Sequence, residues 1–174
     1  LMADEINRAS PRTQSALLQA MQEKTVTVAG ADRALEAPFH VLATQNPIEQ
    51  EGTYPLPEAQ LDRFLIQITV DYPDRATERE ILLATTGTTE GQSQTIFTPE
   101  ELVAAQNVVR QMPVGDAIVE QILDLVRACR PDEAEATDLV RETVSWGPGP
   151  RAAQALMLTI RARALLQGRL APNH

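Results

Sequence analysis

Lysine is almost missing from this chain. Lys24 is the only one in 174 residues, and the remaining basic charge is arginine. No glycine run precedes Lys24, and no Gly-x-x-x-x-Gly-Lys-Ser/Thr segment occurs in the sequence. The loop that wraps nucleotide phosphates needs a lysine behind its glycines, so these residues do not encode that device. Long apolar runs are also missing, which excludes a spanning helix, and Leu1 opens without a basic stretch or a cleavable apolar segment. The cytoplasm is then the expected location. A single cysteine, Cys129, excludes an internal disulfide. Its helical spacing with Ile118, Ile122, Leu125 and Val126 predicts a small buried hydrophobe. A net charge of −9 argues against general nucleic-acid binding, because a phosphate backbone rewards clustered Lys and Arg.

What is present suffices for a globular fold. Hydrophobic residues make up 43% and charged residues 22%, enough for one core or two small ones. Residues 1–3 read as the end of an apolar strand. Ser10 and Pro11 open a helix at N-cap and first-turn positions, and Gln14, Leu17, Leu18 and Met21 recur at helical spacing as far as about residue 23. The Thr-Val-Thr-Val alternation from residue 25, a turn at Gly30-Ala31-Asp32 and a return to about residue 37 predict a hairpin. Residues 39–44 have the profile of a buried strand, ending in Gln45-Asn46-Pro47. A loop over 47–57, punctuated by Gly52, Pro55 and Pro57, has the length and composition of a functional loop. A short helix holding Leu61, Asp62, Arg63 and Phe64, a strand over 65–70, and a helix capped by Asp74 follow.

Beyond residue 87 the pattern changes. Residues 88–96 are rich in Thr, Gln and Gly, as in a solvated linker. Thr98-Pro99-Glu100-Glu101 is a capping box with proline in the first helical position. Further helices are expected at about 115–129, 135–145 and 149–167. The fold class is α/β, with helices flanking a parallel sheet, followed by an all-α part.

Four places have residues suited to chemistry. Asp4 and Glu5 lie at a strand end, where one acid can hold a metal and the other can position or deprotonate water. Their bland explanation is an acidic helix start. Asn46 ends a second strand that would lie beside the first at the carboxyl edge of a parallel sheet, where such folds bind ligands. There it is either a turn initiator or a neutral donor aimed at a phosphate or a water. Arg63, flanked by apolar residues, either pairs with Asp62 at the surface or reaches a neighbouring subunit's phosphate. The latter role is worth roughly 10³ to 10⁵ in rate, or about 4–7 kcal/mol. Arg151 falls in the first turn of a helix, where positive charge opposes the dipole and a bound anion would relieve it.

Three stretches carry a family resemblance: Leu1-Met2-Ala3-Asp4-Glu5-Ile6-Asn7-Arg8; the long run from Leu42-Ala43-Thr44-Gln45-Asn46-Pro47 through Glu51-Gly52-Thr53-Tyr54-Pro55-Leu56-Pro57-Glu58-Ala59-Gln60 to Leu61-Asp62-Arg63-Phe64; and Gly147-Pro148-Gly149-Pro150-Arg151-Ala152. In order and separation they resemble the MoxR family of AAA+ ATPases, across nearly the whole chain. The resemblance implies a partial AAA+ core over residues 1–87, a linker at 88–97, and a helical lid over 98–174. It implies ATP and Mg²⁺ as cofactors. Asp4 and Glu5 would be the Walker B pair, Asp4 supporting the metal and Glu5 the attacking water. Asn46 would be sensor 1, Arg63 the arginine finger reaching an adjacent subunit, and Arg151 the sensor 2 residue contacting its own subunit's nucleotide. Residues 25–38 would be the hairpin preceding sensor 1.

The implied function is ATP hydrolysis by a ring, a hexamer by analogy, coupled to remodelling or maturing a protein client that nothing here specifies. A non-catalytic assembly module and a magnesium-chelatase-like subunit are the alternatives; the stretch from Gln50 to Gln60 looks more like MoxR than chelatase. The resemblance is to the C-terminal portion of such a module, without its phosphate loop. The 174 residues by themselves are therefore expected to be inactive and to bind ATP poorly. Titration of this chain with a fluorescent ATP analogue and Mg²⁺ should show no saturation in the micromolar range; micromolar binding would refute the expectation.

Overall fold

The computed structural model describes residues 1–46, 52–87 and 94–173. The first strand, β1 (Met2–Ala3), pairs in parallel with β4 (Leu42–Ala43), Met2 opposite Leu42 and Ala3 opposite Ala43. Between them run a 3₁₀ turn (Ile6–Arg8), helix α1 (Pro11–Glu23), and a hairpin of β2 (Thr25–Val28) and β3 (Ala31–Ala34). Ser10 caps α1 by accepting from the Thr13 amide, and Pro11 occupies the first turn. The hairpin turns at Ala29 and Gly30, both at positive φ, one residue earlier than the sequence pattern places it. Two successive positive φ values match the right-handed twist of the flanking strands, and glycine accepts one without strain.

One apolar cluster organises this part. Ile6, Leu18 and Leu56 are buried, with Leu17, Met21, Ala43, Leu61 and Phe64 packed around them. It draws together the residue after Glu5, one face of α1, the residue before Thr44, and the short helix α2 (Glu58–Leu61). Gln14, also buried, donates from Nε2 to the carbonyls of Ile6 (3.1 Å) and Tyr54 (2.8 Å), satisfying two backbone groups that burial would otherwise orphan.

Further expectations are corrected. The buried strand expected over 39–44 is paired, among the described residues, only at Leu42–Ala43, with Leu42 exposed. The short helix ends at Leu61, so Asp62, Arg63 and Phe64 lie in the turn after it. Residues 65–70 are not a strand. Their alternation is real, but a strand exists only through hydrogen bonds to a neighbour, and among the described residues the sheets are β1–β4 and β2–β3. Ile68 and Val70 are consequently 78% and 89% exposed. Helix α3 (Arg75–Thr86) follows, with Asp74 as its N-cap. Accepting from the Thr77 amide holds the Asp74 carboxyl below the usual range. Most of the predicted linker, residues 88–93, lies outside the described residues, as do residues 47–51 of the long loop.

The remaining helices are α4 (Pro99–Gln111), α5 (Asp116–Ala128), α6 (Asp138–Thr143) and α7 (Pro150–Leu166). α4 starts with the expected capping box: Thr98 accepts from the Glu101 amide, and the Glu101 carboxylate accepts from the Thr98 amide. α7 packs against both α4 and α5. Met112, Ile122, Val126, Ala136 and fully buried Ala164 supply buried apolar residues here. Arg161 on α7 donates to the Arg110 carbonyl in the last turn of α4 at 3.3 Å. Cys129 is half-buried at the C-cap of α5 rather than fully enclosed. Among the described residues no helix is long and apolar enough to cross a membrane.

Leu18 is 1% exposed at the centre of the first cluster. Leu18→Ala should lower unfolding free energy by about 2–5 kcal/mol, read as a reduced denaturation midpoint in urea.

Candidate functional site

Parallel pairing of β1 with β4 sets residue 4 beside residue 44. The ladder extends past both strand ends: the Thr44 amide donates to the Ala3 carbonyl at 3.0 Å, and the Ile6 amide to the Thr44 carbonyl at 2.9 Å. Between these bonds the Thr44 hydroxyl does two things. It accepts from the Glu5 amide at 2.8 Å and donates to Asp4 Oδ1 at 2.5 Å. One hydroxyl therefore ties down both carboxylate-bearing residues. Asp4 is exposed, and its second oxygen has no partner among the described residues.

Glu5 sits at φ 46°, ψ 54°, the left-handed region. For a residue with a Cβ this is strained, at a cost of order 1–2 kcal/mol, and it persists only where neighbouring bonds over-determine it. Here those bonds are the Thr44 hydroxyl on the amide and, on the carboxylate, Arg8 Nη1 at 3.0 Å. The Arg8 pair is half-exposed, so it orients the side chain more than it stabilises the fold. Asn46 joins this group through its main-chain carbonyl, which accepts from Asn7 Nδ2 at 3.5 Å.

The two arginines lie elsewhere. Arg63 is half-buried in the turn after α2, held by its amide to the Gln60 carbonyl (3.2 Å) and by apolar Leu61 and Phe64 on either side. Its Nε is buried with no partner among the described residues. Surface pairing of Arg63 with Asp62 is not what occurs: Asp62 Oδ2 faces Arg151 Nη1 at 3.6 Å. Arg151 is in the first turn of α7, its side chain 43% exposed. Asp62, Phe64, Ile66, Arg151 and Leu156 line an open cleft of about 400 Å³. The apolar cluster links the acidic pair to the turn holding Arg63, since it includes Ile6 and Ala43 beside the acids and Leu61 and Phe64 beside Arg63.

The donor chemistry fits a magnesium nucleotide in part. Mg²⁺ favours one or two carboxylates, waters and substrate phosphate oxygens over a closed protein cage. Asp4 with the Thr44 hydroxyl is a hard-oxygen site of that open kind, and among the described residues no cluster of three metal-ligating side chains competes with it. Arg151, whose acidic partner among the described residues is Asp62 at a long 3.6 Å, is able to turn to an anion.

Sequence reasoning gave no polar role to Thr44 or Gln14, and offered Asp62 as a partner to Arg63 rather than to Arg151. Thr44 follows the last paired residue of β4, but only the 40-residue register of the parallel pair reveals that its hydroxyl meets Asp4 and Glu5.

The model of the ATPase family associated with various cellular activities (AAA) matches residues 1–66. Chaperone MoxR1 of Mycobacterium tuberculosis is 43% identical over 169 residues, covering 97% of this chain and 45% of MoxR1. YeaC of Bacillus subtilis is 42% identical over 170 residues, covering 97% and 50%. A crystal structure of a Cytophaga hutchinsonii protein assigned as an ATPase superposes with a TM-score of 0.91 at 36% identity, covering 99% of this chain and 52% of that one. The chain thus spans about half the length of the relatives it matches. Along almost its full length the chain is thus similar to MoxR-type AAA+ ATPases, and its first 66 residues match the AAA family model.

Proposed function

We propose that these residues form the Walker B, sensor and lid part of an ATP-hydrolysing AAA+ site in a chaperone-like protein that remodels or matures protein partners. The observation that carries the reading is the Thr44 hydroxyl joined to both Asp4 and Glu5 at the end of a parallel strand pair. In this reading residues 1–87 are the α/β core, 88–97 the linker and 98–174 the lid. The relative named Chaperone MoxR1 supports the chaperone-like part.

Asp4 would hold Mg²⁺ through its exposed carboxylate, with Thr44 fixing the rotamer by donating to the other oxygen. When bound, the metal screens phosphate charge and polarises the γ-phosphoryl oxygens. Glu5 orients the attacking water and accepts its proton; the left-handed backbone aims the side chain away from the strand direction. Asn46 holds the water by a neutral hydrogen bond. Arg151 on α7 swaps Asp62 for a phosphate oxygen, so nucleotide binding would draw the lid toward the core. Arg63 has a rigid apolar mounting and no ion pair among the described residues, as suits a guanidinium offered to the nucleotide of the next subunit in a ring, a hexamer by family analogy.

In the full-length protein, Glu5→Gln should leave nucleotide affinity within about twofold and lower steady-state turnover by roughly 10² to 10⁴. Phosphate release at the wild-type rate would remove Glu5 from the chemistry. Arg63→Ala should hydrolyse about 10³-fold more slowly or worse. Activity should return when it is mixed with Glu5→Gln subunits, which supply the arginine to sites with an intact glutamate. If mixed rings stay inactive, Arg63 does not act across the subunit boundary.

A further inference from the structure

α7 begins without a cap of its own. Its N-cap is Gly149, which has no side chain to accept from the first-turn amides, whereas α1, α3, α4 and α6 are each capped by a Ser, Asp or Thr side chain. The preceding loop is short of donors as well, because Pro148 and Pro150 have no amide hydrogen. The start of the helix that carries Arg151 is thus uncapped, as is that of α5 at Gly115, which leaves a need for contacts from outside the helix if Arg151 is to be fixed.

Arg130 meets that need. It lies just past the C-cap of α5, and its Nε donates to the Pro148 carbonyl at 2.9 Å. Its backbone also lies against the loop: a Cβ added to Gly147 would fall 2.8 Å from Arg130 Cα and 2.9 Å from its Cγ. Glycine at 147 is thus the condition for the close approach. The guanidinium is braced from behind by Glu133, whose Oε1 faces Arg130 Nη1 at 3.5 Å and whose Oε2 accepts from Arg127 Nη2 at 2.8 Å. Arg127 donates in turn from Nε to Glu135 at 2.8 Å, a bond that holds the Glu135 carboxyl below its usual range. Arg141 closes the turn by donating to the carbonyls of Glu133 and Ala134.

We propose that Arg130, seated against Gly147 and bonded to the Pro148 carbonyl, is the positioning residue for Arg151, fixing where the first turn of α7 presents its guanidinium to a nucleotide phosphate. The proposal rests on the reading of Arg151 given above. It makes the α5–α6 turn a support of the nucleotide site. Movement of α5 would then reach Arg151 through one hydrogen bond and one backbone contact.

The test is a double-mutant cycle in the full-length protein, reading the dissociation constant of a fluorescent ATP analogue with Mg²⁺, the KM and kcat for ATP, and the thermal midpoint. Arg130→Ala should weaken nucleotide binding and raise KM by up to roughly 10²-fold, the loss expected of a misplaced but intact group. Arg130→Ala/Arg151→Ala should be no worse than Arg151→Ala alone. Gly147→Ala should reproduce the Arg130→Ala defect by an independent route. Arg130→Lys, which keeps the charge beside Glu133 and a donor within reach of the carbonyl, should recover part of the loss and serves as the folded control. Losses that multiply in the double mutant, or Arg130→Ala and Gly147→Ala proteins that bind and turn over like wild type, overturn the proposal. Arg151→Ala with unchanged nucleotide affinity would instead overturn the role of Arg151 itself, and the proposal would fall with it.

Discussion

Burial of Ile6, Leu18 and Leu56 in one cluster is the constraint on which the first half of this protein depends. Each such side chain removed from water contributes about 1.5–3 kcal/mol. The position of the cluster matters as much as its size. Ile6 follows the strained Glu5, Leu18 is the inward face of α1, and Leu56 belongs to the proline-punctuated loop before Arg63. Three stretches distant in sequence are locked at one point, and Asp4 and Glu5 beside them gain fixed positions without being fully buried themselves. A left-handed glutamate survives because the next residue is anchored.

The polar layer above the cluster is held by few bonds. The Thr44 hydroxyl serves Asp4 and Glu5, and the Gln14 amide serves the Ile6 and Tyr54 carbonyls. These are side chain to backbone or side chain to side chain links between residues about 40 apart in sequence, except Gln14 to Ile6. The helical half works differently. α7 is packed by α4 and α5, and its N-terminal loop is clamped by arginine. Arginine in place of lysine suits this task, because a planar guanidinium can face a carbonyl and a carboxylate at once.

Much of the local structure was legible. Ser10, Asp74 and Thr98 each cap the helix that follows, since capping depends on residues three apart. The stretch over 65–70 was not legible as it stands, because alternation reports a capacity to form a strand while the strand itself requires a paired neighbour. Arg63 lies in a turn rather than on the short helix for a similar reason: four residues of helix carry too weak a period to fix their own end.

Residue type at short spacing carries the family resemblance, the five polar positions from Asp4 to Arg151, and the capped helix starts at Ser10, Asp74 and Thr98. Only the tertiary structure decided that Thr44 binds the acidic pair, that Asp62 turns to Arg151 rather than to Arg63, and that Arg130 grips the loop before α7. Those contacts depend on strand register and on how α7 packs, quantities set by the summed burial of distant side chains and carried by no local pattern.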